Sequence, residues 1–359
     1  MNFQTLHKLR PGRAVALLAA ILLATALANA GQGERKILVL TSTNSATNNA
    51  VEVFQLDTSG TPSLSLADTL PTRGKGGASG NGGILQFKGD LGAVANYGSN
   101  NVSQLVRYDD FIRVGRTIDL ATGCVKPDSV ALTEQQLFVV GANCAESHVW
   151  PWGYVDGTVV SLSDPSAAQI AAGKSWAAVT MTSGSVLQLP LGHDDGALKG
   201  TSANVSLPSD ANNTPLGEAF WGDILGYTPA HSPDSFAVVN EERDVFAIVG
   251  PAPAYPTNAP CWVAKGPGSV WYTGNAPGDA ISEFFTDDQG GVFYKSVPLP
   301  GSPTDITVSS DRKWLAVIYS ASGEAHIAVF SIDDHGDLTA VANSDSIGVT
   351  AFNGVAISQ

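Results

Sequence analysis

From Pro260 to beyond Asp334 the chain alternates apolar and polar positions in short runs broken by turns, and it does so twice. The first set is PCWVAKGPGSVWYTGNAPGDAISEFFTDDQGGVFYKSVPLPG, and the second is SPTDITVSSDRKWLAVIYSASGEAHIAVFSIDDHGDLTAV. Each opens on an alternating run near a Pro, turns, and gives three more runs separated by a Gly/Ser/Asn loop and an Asp/Gly turn. Alternation with a period of two is the mark of a strand with one face in a core. Four short strands per unit, at a spacing of roughly 40–50 residues, predict the blades of a β-propeller.

The same rhythm extends backwards with decreasing clarity. Lys36–Thr41, Val51–Leu56 and Ser63–Leu70 supply three strands of a first unit. Gly82–Phe87, Gly92–Asn96, Asn101–Arg107 and Arg113–Leu120 supply a second. Asp128–Leu132, Leu137–Gly141 and Gly157–Leu162 belong to a third, whose fourth strand is obscure. Trp176–Met181 and Ser185–Leu189 anchor a fourth, and Phe236–Asn240 and Val245–Val249 anchor a fifth as its second and third strands. The total is seven blades; six is the alternative, because 163–214 shows no clear rhythm. Phe352–Ile357 resembles a first strand with nothing after it, while the N-terminal unit lacks one. Pairing the two ends closes the disc and removes two exposed sheet edges.

The expected all-β, seven-bladed fold occupies 31–359 as one domain. Residues 1–30 are set apart. His7, Lys8, Arg10 and Arg13 precede an apolar run, Ala14–Leu27, too short to span a bilayer comfortably, and Ala28-Asn29-Ala30 is an A-x-A site. This is the pattern of a signal peptide, and it predicts export to the periplasm or beyond. Its removal takes away three Lys/Arg and no acid, shifting the net charge from −14 to about −17. Such a field disfavours nucleic acid and anionic membrane as partners. Only 14% of residues are charged and 38 are Gly, which suits short strands and tight turns.

In a propeller, the strand-four to strand-one handover and the strand two–three loop share one face, here termed upper. The other turns lie below. The Asp/Gly clusters at Asp57, His193–Gly196, Asp287 and Asp333–Gly336 recur at strand three–four hairpins, where they supply turn geometry rather than metal ligation. No metal site is expected. Asn96, Asn143, Asn240 and Asn275 recur at the ends of second strands and suit loop anchoring. Cys124 and Cys144 sit on one unit and one face, so an exported protein would pair them, leaving Cys261 as a buried thiol.

Two upper-face segments concentrate chemistry. Glu146–Asp156 carries His148, Trp150, Trp152 and Tyr154 beside carboxylates, a composition suited to a sugar or aromatic ligand. It equally suits a cap on the disc. Around the fifth unit stand Glu218, Trp221 and Asp223, then Glu241-Glu242-Arg243. Glu241 is the general acid/base candidate if the channel mouth desolvates it. First-strand openings at Asp128, Cys261, Thr304 and Asn353 complete the expected lining.

Three stretches resemble a known family. They are Ala259-Pro260-Cys261-Trp262-Val263 with Trp271–Ala276, Asn96–Ser103, and Phe236–Glu241. They are similar to a secreted branch of the lactonase-type seven-bladed propellers, which includes phosphogluconolactonase-type hydrolases and carboxymuconate lactonizing enzymes. The resemblance implies seven blades, no cofactor and no obligatory metal. It implies a lactone of a sugar acid or aromatic-derived acid as substrate, with Glu241 matching the glutamate of a V-V-N-E stretch. The family's Gly-Pro-Arg-His opening is replaced near Gly222-Asp223-Ile224-Leu225. The enzyme reading therefore pairs Glu241 with His148 as acid and base, with Lys126 or Arg243 holding a carboxylate and Asp128, Trp150, Trp152, Glu218 and Trp221 lining the site. The competing reading is a monomeric, non-catalytic propeller that binds a small ligand or a protein. A quinone- or metal-dependent propeller dehydrogenase is a distant third, since its His and Trp docking repeats are missing.

Overall fold

Every strand among the described residues is short, and each blade buries its strands by stacking on the next. A computed structural model describes residues 35–78, 82–151, 154–205, 207, 214–230, 235–240, 245–249, 259–287, 290–349 and 351–359. Ile37–Gln359 forms one compact unit. It contains seven sheets, each of four main strands in simple antiparallel order. The innermost strands follow one another around an axis, each against the next, and the last against the first. The protein is a seven-bladed β-propeller, and the six-blade alternative is excluded.

Blade one combines both ends of the unit: Asn353–Ser358 innermost, then Ile37–Ser42, Ala50–Asp57 and Ser63–Pro71. The closing register places Leu38 opposite Ser358 and Leu40 opposite Ala356. Thr41 Oγ1 also donates to the Gly354 carbonyl at 2.8 Å. The closure expected from the spare C-terminal strand is therefore present. Gly354 occupies the left-handed region, φ 79°, and a side chain there would press on Leu85 of blade two.

Blade two runs Leu85–Lys88, Leu91–Asn96, Asn101–Tyr108 and Phe111–Asp119. Blade three runs Pro127–Leu132, Gln136–Gly141, Cys144–Val149 and Val155–Ser161. The sequence expectation of an obscure fourth strand is corrected: the fourth strand is Val155–Ser161, within the run expected at Gly157–Leu162, and the strand that was missed is the third, Cys144–Val149. Its Glu, Ser and His hide the apolar alternation. Blade four is Ala167–Ala172, Trp176–Met181, Ser185–Pro190 and a two-residue outer strand, Ala203–Asn204. Blade five is Pro215–Trp221, Ile224–Pro229, Phe236–Val239 and Val245–Val249. Phe236–Val239 is therefore its third strand, not its second. Gly217 and Glu218 interrupt the apolar pattern of the true first strand, which displaced the count. Blade six is Pro260–Lys265, Val270–Asn275, Ala280–Asp287 and Gly290–Pro298. Blade seven is Ser302–Val308, Trp314–Ala321, Glu324–Ile332 and Leu338–Asn343, with Gly348–Val349 pairing beside the start of its third strand.

Alternation explains how blades cohere. Leu38 and Leu40 join a cluster with Leu85, Val94 and Leu105 of blade two. Val39, between them, joins Ala316, Ile318 and Ile327 of blade seven. Leu137 and Val139 face one cluster while Phe138 and Val140 face another. Each inner strand thus feeds two inter-blade cores, so it is apolar on both faces. Fourth strands have only one covered face and are largely exposed, as in Ser63–Pro71.

One irregularity recurs where it matters. Six of the seven first strands break register near their upper end, at 127–129, 167–169, 215–218, 260–262, 303–305 and at Gly354. Four of these breaks follow a Pro, which cannot donate to the ladder and suits a strand's first position. A β-bulge re-aims the side chains around it. Here the bulges line the upper mouth of the axial channel.

Candidate functional site

The residues at and just after these bulges are polar where the rest of each first strand is apolar. Asp128 and Ser129, Gln169, Glu218, Thr304 and Asp305, and Asn353 occupy them, with Trp262 on blade six. Most are buried. Burial pushes the Asp128 carboxyl up to about 7, with nearby Lys126 opposing the shift. Lys126 is exposed beside it at φ 57°. Its amide donates to Asn100 Oδ1 at 2.8 Å, and its ammonium lies 5.7 Å from the centre of the Tyr97 ring.

Asp305 works differently. Its Oδ1 accepts the Ile306 amide at 2.8 Å, its Oδ2 accepts the Val355 amide at 3.2 Å, and the Gly83 amide also bonds to it. One carboxyl therefore joins blade seven, the closing strand of blade one, and the chain entering blade two. Burial still raises it to about 7 despite those three donors. Glu218 is more extreme. Burial holds it well above the carboxylate range. The amides of Ala171 and Thr180 soften this, but neither Glu218 oxygen has a hydrogen bond of normal geometry. Gln169 clasps the Glu218 backbone instead, donating to its carbonyl at 2.8 Å and accepting its amide at 3.2 Å.

A cavity of about 620 Å³ opens on this face between blades seven and one. Trp262, Tyr319 and Phe352 provide aromatic walls, and Thr304, Ser320, Asn44 and Asn353 provide polar groups. No Lys, Arg, Asp or Glu is among its described lining residues. Tyr319 is 4% exposed, and its ring stacks on His326 with centroids 5.3 Å apart. Trp262 Nε1 is buried without an acceptor. Gly82 stands against its Cδ1 edge and against Gln169, where a side chain would not fit. A second cavity, about 450 Å³, opens at the lower mouth against Lys88, Glu134, Lys174, His193 and Phe220.

The expected site residues divide. Lys126, Asp128, Thr304 and Asn353 reach the upper mouth. Cys261 opens its first strand there as a buried free thiol, donating to the Ala259 carbonyl at 3.1 Å. Cys124 is bonded to Cys144, with Cα atoms 5.6 Å apart. His148 does not reach the mouth. It lies within the third strand of blade three, fully buried, its Nε2 2.9 Å from Glu146 Oε1, while Glu146 Oε2 accepts the Ala121 amide at 3.0 Å. Two strands stand between it and the axis, about 10 Å at normal strand spacing.

The aromatic segment is likewise not an upper loop. Trp150 follows a third strand on the lower side and is buried in the core shared by blades one to three, its amide donating to Gln135 O at 2.8 Å. The sequence reading skipped a strand there and so inverted the face. Glu218 sits in the upper half of its strand, but Trp221 ends that strand on the lower face, 41% exposed. The Lys265 ammonium lies 4.9 Å from the Trp221 ring and donates to the carbonyls of Gly266, Gly268 and Val270. Trp152, Glu241 and Arg243 lie outside the described residues, as does His231. Among the described residues, the only grouping of metal-ligating side chains is Cys124, Cys144 and Glu146, and its two sulfurs are bonded to each other.

Asp305, Gln169, Trp262 and Tyr319 were not singled out from the sequence. A signal existed for two of them: Pro127-Asp128-Ser129, Pro260-Cys261-Trp262 and Pro303-Thr304-Asp305 share one position in the repeat. Nothing comparable marks Tyr319.

Seven closed blades around a polar upper mouth define the class as a seven-bladed β-propeller, with a ligand-sized cavity on the face that carries the inter-blade loops. No family model and no curated protein matches this chain. Among solved structures it is similar to streptogramin B lyase, with a TM-score of 0.58 and 17% identity over 78% of this chain and 87% of that one. It is similar to a candidate 6-phosphogluconolactonase from Bacteroides fragilis, with a TM-score of 0.64 and 11% identity over 91% and 99%. A protein from Lactobacillus plantarum gives a TM-score of 0.65 and 14% identity over 91% and 100%. At these identities the likeness is one of fold.

Proposed function

We propose that this chain is an exported, lactonase-like propeller that takes a small, uncharged ring compound at its upper mouth. A lactone of a sugar acid or aromatic-derived acid is the class that fits. The observation that supports this is the cavity between blades seven and one, which is aromatic on its walls, carries hydroxyl and amide groups, and has no charged lining residue among those described. Its volume suits one small ligand.

Ring opening is the reaction this reading assigns, with Asp128 as general base. Asp128 lies outside the cavity's described lining, on blade three of the same mouth, so the reading requires the lactone carbonyl to extend from the cavity towards the axis. A carboxyl near 7 is half ionised at neutral pH and takes a proton from water more readily than an ordinary carboxylate. Water adds to the lactone carbonyl, the ring C–O bond breaks, and a hydroxy acid leaves. Lys126, exposed at the same mouth, is suited to the carboxylate formed. Glu241 and Arg243 remain proposed contributors in this reading, whereas His148 is replaced by Asp128. A panel of δ- and γ-lactones with the mature protein tests it. Hydrolysis rising with pH through about 7, and lost in Asp128→Asn, supports the assignment; full activity in that variant rejects it.

The position of His148 favours a second reading, a propeller that binds the same ligand without turning it over. Saturable binding of lactones with no hydrolysis selects it.

A further inference from the structure

We infer that Tyr319 is the ligand-orienting donor of the upper-mouth cavity, and that it selects uncharged ring compounds carrying an acceptor oxygen. The inference rests on the reading that this cavity is a ligand site. It adds which group recognises the ligand, and by what chemistry.

Tyr319 is 4% exposed and lies near the upper end of the second strand of blade seven. It lines the cavity beside Thr304 and Ser320. One ring face is covered by the His326 stack. The ring is buried, but the phenol oxygen is not among the fully enclosed polar atoms, and it makes no hydrogen bond among the described residues. It faces a cavity wide enough for a ligand, so the missing acceptor is one the ligand can bring. Burial raises the phenol above its ordinary value, which keeps the proton on the oxygen throughout neutral pH. The group is therefore a donor. Trp262, with its own buried and unpaired indole N–H, forms part of the same wall.

The surroundings decide the charge of the ligand. An anion would enter a strongly acidic protein without a Lys or Arg on the described wall. A cation would find no carboxylate on that described wall, and Asp305, next to Thr304 in the chain, already accepts three amides. What remains is a neutral molecule with a flat or ring-shaped apolar face for Tyr319 and Phe352 and an oxygen for the phenol.

The test compares dihydrocoumarin, an aromatic lactone, with tetralin, which has its shape but neither oxygen, and with the open-chain acid of the lactone. Binding to the wild type and to Tyr319→Phe is measured by calorimetry. The variant keeps the ring, its volume and the stack on His326. The lactone should bind about tenfold more weakly to it, as for one lost hydrogen bond. Tetralin should bind both proteins alike, and the melting temperature without ligand should not move, because the phenol has no partner to lose. Equal lactone affinity in the two proteins overturns the inference and leaves the ligand site standing. Tighter binding of the open-chain anion than of the lactone overturns the assigned class. Failure of the wild type to bind any of the neutral probes removes the underlying reading together with the inference.

Discussion

The two mouths of the channel both open onto cavities, but their polar groups are handled in opposite ways. At the lower mouth, most charges are exposed and paired; Lys265 is the part-buried exception, pushed down to about 7 by desolvation and by Arg312. Lys88 lies 3.6 Å from Glu134, Lys199 donates to Asp195 at 2.8 Å, and Lys265 is capped by three carbonyls. At the upper mouth, Asp128, Glu218 and Asp305 are buried, neither Glu218 oxygen has a hydrogen bond of normal geometry, and the buried Trp262 indole N–H has no acceptor among the described residues. A satisfied surface has little to gain from a ligand. A buried, under-satisfied one has more. The difference supports the proposal of a ligand site at the upper mouth, although cavity size alone does not separate the two.

The largest effect should come from removing what closes the upper mouth. Deleting 353–359 takes away the innermost strand of blade one and the Val355 amide that binds Asp305. The loss should exceed a domain's usual margin of about 5–15 kcal/mol. No cooperative melting transition is expected; a normal one would show that the disc closes without this strand.

Acidity should separate the mouths next. Asp128 and Asp305 are raised to about 7 by burial, so the stability tied to them is complete below pH ~4 and is lost as pH rises through 7. Keeping Asp305 ionised costs on the order of 4 kcal/mol. The lower hairpin carboxylates Asp57, Asp195 and Asp333 are depressed by hydrogen bonds, so their contribution is lost as pH falls below ~4. Stability should peak near pH 4–5 and decline towards 7; above 7 the part-buried Lys265, lowered to about 7, works in the opposite direction. Asp305→Asn should flatten the alkaline side alone. An unchanged slope in that variant would break the comparison.

Replacing Cys124 and Cys144 together by Ala should lower stability by about 3 kcal/mol, as for a closed loop of this length, seen as a drop in denaturant midpoint. The smallest effect belongs below. Glu134→Ala breaks an exposed pair and should cost under about 0.5 kcal/mol. A larger loss would mean that the lower mouth is not the relaxed surface described.

Legibility followed apolar alternation. Blades six and seven were plain because their strands alternate without interruption. The closure was plain because one end had a spare strand and the other lacked one. Blades three to five were not. Cys144–Val149 carries Glu146, Ser147 and His148, all fully buried, so it did not resemble a strand. Missing it placed Trp150 on the wrong face, and the same kind of slip made Phe236–Val239 a second strand. Of the site, Asp128, Lys126, Thr304 and Asn353 were legible from their places at strand openings. Tyr319 was not, because an aromatic residue in an inner strand has the same pattern whether it fills a core or borders a cavity.

The sequence by itself determined the blade rhythm, the turn chemistry of the Asp/Gly hairpins and the pairing of the two ends. These depend on residues near one another in the chain and on a period of two that backbone geometry imposes. Only the tertiary structure decided which side chains meet at the upper mouth. Trp262, Thr304, Tyr319 and Asn353 come from three blades and are brought together by ring closure. Whether a polar atom among them finds a partner depends on bulges and on neighbouring blades, and neither is written in the spacing of residues along one strand.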